Sequence, residues 1–144
     1  EGGIRVPFII SWPNQLSKNV IKNEIGAFWD LLPTFNEIAG LKSDFSTDGV
    51  SLLNVLKGKE SVERPPLYWE FYEGGFKQAV VSGNWKAIRY FKGAEPERTE
   101  LYDLSVDPEE KNNLSAQLPA QRKQMESIMQ KERVSSTHPL FQIK

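Results

Sequence analysis

The sequence predicts an α+β fold, with a four-stranded antiparallel sheet packed on a long C-terminal helix. Three observations carry that expectation. Residues 67–104 hold four short runs rich in aromatic and β-branched residues, separated by turn residues. Leu118, Met125, Ile128 and Met129 recur at three- and four-residue spacing and form one apolar stripe. The part before Pro65-Pro66 reads differently, as an apolar run followed by short helical segments.

Each element follows from its residues. Residues 6–12 are apolar and of strand length, with both faces of Phe8-Ile9-Ile10 apolar, which predicts a strand covered on both sides. Pro7 has no N–H, so that strand starts near it. Residues 25–40 are expected to be helical in their second half, with Asp30 or Thr34 as N-cap and Gly40 as the stop. A second short helix is expected over 50–56. The polar stretch 58–66 is the best candidate linker. Residues 67–72, 77–81, 85–91 and 99–104 are the expected strands, with Gly74-Gly75 and Gly83-Asn84 as turns. Asp107-Pro108-Glu109-Glu110 carries a helix-start signature. A longer helix is expected over 119–133, with its apolar face on the sheet. The domain division is then 1–60 and 61–144.

Composition bounds the function. The chain has 144 residues, 39% hydrophobic and 26% charged, with 18 basic and 19 acidic side chains. A net charge of -1 provides no global field for nucleic acid or an anionic membrane. No apolar run approaches the roughly 18 residues a membrane helix needs. There is no cysteine, which excludes disulfides, thiolate metal sites and a cysteine nucleophile within these residues. The chain opens on Glu1-Gly2-Gly3 and runs directly into the apolar segment, so its first residue reads as a cut through a larger domain.

Candidate chemistry is sparse. Ser11 in Ser11-Trp12-Pro13 is the only Ser-x-Pro serine, and His138 is the only histidine. A serine nucleophile needs a base and an oxyanion hole, and nothing in the spacing pairs these two. Asp44-Phe45-Ser46-Thr47-Asp48-Gly49 begins like a calcium loop, but its twelfth position is Val55 where a bidentate Glu is required, so a turn is the better reading. Asn113-Leu114-Ser115 is a glycosylation sequon by spelling. Trp69, Glu70, Phe71, Tyr72, Lys77 and Arg89 are residue types that bind sugars and anions. Strand alternation places Leu67, Trp69 and Phe71 on one face and Tyr68, Glu70 and Tyr72 on the other. No catalytic constellation and no metal-ligand set emerges from the residues alone.

Several segments, in order, resemble the C-terminal part of a type I, formylglycine-dependent sulfatase of the alkaline-phosphatase-like superfamily. They are Glu1-Gly2-Gly3-Ile4-Arg5-Val6-Pro7 with Trp12-Pro13, Asp30-Leu31-Leu32-Pro33-Thr34 with Ala39-Gly40, and Asp48-Gly49-Val50-Ser51-Leu52. Asn84-Trp85-Lys86, and Glu100-Leu101-Tyr102-Asp103-Leu104 with Asp107-Pro108, Glu110 and Asn113-Leu114, complete the set. The resemblance covers nearly the whole chain. It implies that residues 1–60 are the tail of the large α/β domain and 61–144 the C-terminal subdomain.

The resemblance further implies hydrolysis of a sulfate ester by a formylglycine nucleophile, with calcium polarising the sulfate. The motif that carries formylglycine, Cys/Ser-x-Pro-x-Arg, is not here, because Gln15 stands where Arg is required. Calcium, formylglycine and the nucleophile are therefore expected in an upstream catalytic domain of a parent enzyme, and the chain alone is expected to be inactive. Arg5, Trp69, Glu70 and Lys77 are the expected substrate-binding residues, for a sulfated sugar or aryl sulfate. A periplasmic or secreted location follows from bacterial family members. Two other readings stand beside this one: a related phospho- or phosphonate-ester hydrolase, and a free-standing carbohydrate-binding or interaction module. In the isolated chain Phe8-Ile9-Ile10 loses its neighbouring strands and exposes an apolar edge, so it is expected to be disordered, self-paired in a dimer or complemented by another chain.

Overall fold

A computed structural model describes residues 3–41, 46–59 and 61–142. The chain divides into two compact units, residues 7–65, and residues 66–142 with 3–6.

The 7–65 unit contains α1 (Leu31–Ile38) and α2 (Leu53–Leu56). A 3-10 turn, Phe28–Asp30, leads into α1, where Pro33 occupies the first turn and needs no N–H partner. Gly40, at φ 67°, ends the helix as expected. Asp30 stands at the N-cap position, but its side chain does not cap α1. Thr34 is inside the helix, where its hydroxyl donates to the Asp30 carbonyl (2.6 Å) and accepts the Leu52 N–H (2.9 Å).

The expected strand over 6–12 does not form. The segment takes no regular secondary structure, and Ile9 is 91% exposed. A strand exists only through its neighbour, and no described segment pairs with it.

The 66–142 unit holds β1 (Leu67–Phe71), β2 (Lys77–Ser82), β3 (Trp85–Lys92), β4 (Glu95–Asp103) and α3 (Pro119–Glu132). The strands form an antiparallel meander in the order β1-β2-β3-β4. Two-residue loops Gly83-Asn84 and Gly93-Ala94 join β2 to β3 and β3 to β4, each with glycine at positive φ in the first position. That placement is the type II′ signature, whose twist suits a hairpin. Sequence reading starts the fourth strand at residue 99, but it starts at Glu95. The charged run with Pro96 hides the start, and an edge strand tolerates a proline, the more so beside the register shift at Tyr90/Phe91.

Tyr68, Val80, Ala87 and Leu101 are register partners in one row across the sheet, so they share a face. Met125 and Met129 of α3 pack on that row, and all but Tyr68 are essentially fully buried. Trp85, Leu114 and Ile128 flank the cluster. Leu118, placed by periodicity on the same stripe, is exposed at the helix start.

The helix-start signature at 107–110 does not start a helix. The Asp107 carboxylate accepts the N–H groups of Lys111 (3.1 Å) and Asn112 (2.8 Å), and Glu110 adopts φ 55°. The chain then returns beside β4, where Asn113 Oδ1 accepts the Leu101 N–H and the Leu114 N–H reaches the Leu101 carbonyl. That pairing competes with continued helix and wins.

Candidate functional site

The β1–β2 hairpin carries three of the four expected substrate residues, and the sheet separates them. Glu70 is paired with Gln78, and Phe71 with Lys77. Alternation therefore puts Trp69 and Lys77 on one face and Glu70 on the other, beneath α3. Arg5 is exposed in the segment of residues 3–6. No described contact ties it to the hairpin residues.

Glu70 is the centre of a hydrogen-bonded node. Its carboxylate accepts from Tyr68 Oη (2.6 Å), Tyr72 Oη and Arg133 Nε (3.0 Å), while Gln78 Nε2 donates to Tyr68 Oη (2.7 Å). Burial raises the Glu70 pKa, but the hydrogen bonds from Tyr68, Tyr72 and Arg133 outweigh it and hold the carboxyl below its usual range. Burial and the same carboxylate push the Tyr68 and Tyr72 phenols up. The node ties β1 to the end of α3 through the Glu70 carboxylate, which takes two phenol donors and the Arg133 guanidinium.

The opposite face presents a second polar group. Tyr90 Oη (2.9 Å) and Tyr102 Oη (3.1 Å) donate to Glu100, and Arg98 Nε lies 3.3 Å from its other oxygen. The Arg98 guanidinium stacks 3.7 Å from the Tyr90 ring centroid, with Lys77 Nζ 5.7 Å from the same ring. Burial, then Glu100, raises the Tyr90 phenol pKa. This face offers neutral phenols, cations and aromatic surface. It can bind a polar ring, but its phenols titrate too high to serve as general bases near pH 7.

On the α3 side a shallow cleft of about 280 Å³ is lined by Arg89, Arg133, Gln78 and Gln130 among others. Sequence reading singled out Arg89 but not Arg133. The available signal was the helical spacing of Glu126, Gln130 and Arg133 beside the polar row Glu70–Gln78–Arg89 of the sheet.

The other candidates resolve into structure. Ser11 is exposed in the unpaired segment, and the His138 ring packs 5.1 Å from Phe141. Asp44 and Phe45 of the calcium-like loop lie outside the described residues, as do Glu1 and Gly2. In its described part, the Gly49 N–H donates to Thr47 Oγ1 (3.2 Å), a local turn. Asn113 Oδ1 is engaged by Leu101 and Ser115. Among the described residues no group of three or more His, Cys, Asp or Glu could hold a metal ion, so the calcium of the resemblance does not fit here.

The matched motifs also have structural work. Asp30 is completely buried and accepts from the Ala27 N–H (2.7 Å), the Val50 N–H (2.9 Å) and both terminal nitrogens of Arg64 (3.0 and 3.2 Å). A Cβ on Gly49 would lie 2.2 Å from the Trp29 carbonyl oxygen, so only glycine lets the two segments approach. Lys86, buried, pairs with Glu110. Burial raises the Glu110 pKa, but the Lys86 ammonium holds it down. The N–H groups of Asn112 and Lys111 lower that of Asp107.

These depressed carboxyls fix a pH dependence. A folded-state pKa below the unfolded value stabilises above the unfolded pKa, and that stability is lost as pH falls through the folded pKa. With Glu70, Asp107 and Glu110 all lowered, the urea midpoint of the 66–142 unit is expected to be level near pH 6–7 and to drop below about pH 4. Glu70→Gln is expected to flatten part of that drop; a midpoint unchanged between pH 7 and pH 3 would contradict the assignment.

A family model described as N-sulphoglucosamine sulphohydrolase, C-terminal, matches residues 1–137. The chain belongs to this sulfatase C-terminal family. The four-stranded antiparallel sheet and C-terminal helix are the architecture of its structural neighbours. One is yidJ from Bacteroides fragilis, at TM-score 0.67 and 19% identity over 84% of this chain and 27% of that one. Ps i-CgsB gives TM-score 0.69 at 23% identity over 83% of this chain and 27% of that one. Among sulfatase relatives, an N-acetylgalactosamine-6-O-sulfatase of Bacteroides thetaiotaomicron is 30% identical over 90% of this chain and 27% of its own length. An N-acetylgalactosamine-6-sulfatase of Mus musculus is 36% identical over 60% of this chain and 16% of its own. The chain thus spans about a quarter or less of these sulfatases. No described helix is long and apolar enough to cross a membrane.

Proposed function

We propose that the chain is the C-terminal lobe of a sulfatase that cleaves sulfate from a sulfated sugar, and that it supplies scaffold and pocket wall but no reactive group. The observation that carries the reading is the sulfatase C-terminal family match over residues 1–137. The 30% identity to an N-acetylgalactosamine-6-O-sulfatase over 90% of the chain supports a 6-sulfated amino sugar as substrate. Residues 1–60 are then the tail of the large α/β domain. The upstream catalytic domain provides calcium and formylglycine and covers the exposed Phe8 and Ile9 side chains. Without that cover, the same segment is where the chain would self-associate. The parent is proposed to be periplasmic or secreted.

Trp69 and Lys77, partly exposed on the face opposite α3 with Tyr90 and Arg98, are the pocket-wall residues proposed to meet substrate. Arg5 would approach from the N-terminal segment. Glu70 contributes by holding the hairpin on α3. In the full-length parent, assayed for sulfate release from N-acetylgalactosamine 6-sulfate, Lys77→Ala is expected to raise KM about tenfold with kcat little changed. Glu70→Ala is expected to lower stability first. The 144-residue chain alone is expected to release no sulfate. Sulfate release by the chain alone, or a parent inert toward sulfate esters, would sink the reading.

A further inference from the structure

We infer that the cleft between β3, β4 and the C-terminal half of α3 binds an anionic saccharide unit, with Arg89 and Arg133 on its sulfate or carboxylate and Phe91 and Pro96 against its apolar face. The choice of a saccharide rests on the sulfated-sugar reading above; the anion follows from the cleft itself.

Donor accounting comes first. Arg89 lies 3.8 Å from Glu126, an ion contact beyond hydrogen-bond distance, and Arg122 stands at the same 3.8 Å from the same oxygen. The Arg89 guanidinium therefore has no hydrogen-bond acceptor among the described residues. Arg133 gives its Nε–H to Glu70, and its terminal N–H groups have no acceptor among the described residues. The Gln130 amide is likewise without a described partner. A guanidinium is a rigid fork of N–H donors matched to two oxygens of one anion.

Charge and burial favour the same ligand. Arg89 and Arg133 are 19% and 22% exposed, desolvated enough to strengthen an ionic bond and still reachable. Glu70 is already occupied by two phenols and Arg133, and Glu126 is shared between two guanidiniums. Three cations thus face two carboxylates, which leaves a local surplus of positive charge.

The remaining wall is apolar. Phe91, Ala94 and Pro96 line the same cleft. A surface with donors on one side and a ring on the other suits a sugar, whose C–H face is apolar and whose substituents are polar. At about 280 Å³ the cleft accepts a single sugar unit rather than an extended chain. It is on the α3 side of the sheet, away from the Trp69–Lys77 face, so it is a second binding site.

The test is an NMR titration of the 144-residue chain, following arginine Nε–H and glutamine side-chain signals. N-acetylgalactosamine 6-sulfate is expected to shift Arg89, Arg133 and Gln130 saturably, and neutral N-acetylgalactosamine is expected to leave them in place. Glucuronate separates the two anion sources: comparable shifts admit carboxylates, and shifts from the sulfate ester alone restrict the site to sulfate. Arg89→Gln is expected to weaken binding about tenfold without changing the backbone spectrum of the sheet. If that variant does not fold, Arg89→Lys keeps the charge, loses the fork and is expected to bind severalfold more weakly. Equal shifts from the neutral and sulfated sugars overturn the inference, as do unmoved Arg89 and Arg133 signals or wild-type affinity in a folded Arg89 variant. Binding is read on the chain and hydrolysis on the parent, so failure of either leaves the other standing.

Discussion

Asp30→Ala is expected to destabilise the 7–65 unit by about 3–5 kcal/mol, the range for removing one partner of a buried ion pair. The Asp30 side chain is completely buried and that of Arg64 is 12% exposed. Removing the carboxylate leaves Arg64 with the Ile25 carbonyl as its remaining described acceptor (2.6 Å). It also strands the Ala27 and Val50 N–H groups, each of which loses its carboxylate acceptor. The two backbone donors explain why an apolar pair cannot replace this ion pair at no cost. A Leu at both positions 30 and 64 would remove both charges and still orphan the amides. Asp30→Asn keeps one acceptor oxygen but turns an NH2 group toward Arg64, so it is expected to fall between wild type and Asp30→Ala. Urea unfolding read by hydrogen exchange at Val50 and Leu52 measures the loss. A change under about 1 kcal/mol would mean that these bonds do not hold the unit together.

The same residues show what the sequence could and could not reveal. Asp30, Thr34, Gly49 and Leu52 were legible as motif positions, because they recur in a recognisable order. Their purpose was not legible. Asp30 and Val50 are 20 positions apart, and no periodicity announces that one carboxylate receives both a local N–H and a distant one. The sheet was legible because its signals are local: Gly74-Gly75 and Gly83-Asn84 mark turns, and alternation assigned Trp69 and Glu70 to opposite faces. Which face lies under α3 depends on where the helix docks, which is a property of tertiary packing. Residues 6–12 failed for the complementary reason. An apolar run encodes the wish to be covered, but pairing requires a neighbouring strand, and no described segment supplies one. The Arg89–Arg133 cleft failed on distance. Arg133 reaches Glu70 across 63 positions, a contact that exists only once α3 lies over the meander.

Leu101→Ala is expected to cost the 66–142 unit about 2–5 kcal/mol. Leu101 is fully buried at the end of the row Tyr68–Val80–Ala87–Leu101, against the Met125 and Met129 side chains. Ala87 beside it is already small, so the neighbouring strand cannot fill the space. The two methionines can, because an unbranched thioether adapts to irregular gaps. How far they move sets where in that range the loss falls. The backbone of Leu101 adds a second consequence. Its N–H goes to Asn113 and its carbonyl receives the Leu114 N–H, so β4 carries the returning chain as well as the core. Both bonds survive the substitution, so amide protection at Leu114 is expected to fall only as much as global stability falls. Leu101→Met, nearly equal in volume, is expected to lose less than about 1.5 kcal/mol. Denaturant midpoints for the two variants, with the slope unchanged, separate a cavity from a collapse of the fold. Equal losses for Ala and Met would show that shape at this position matters more than buried volume, and that Met125 and Met129 do not repack.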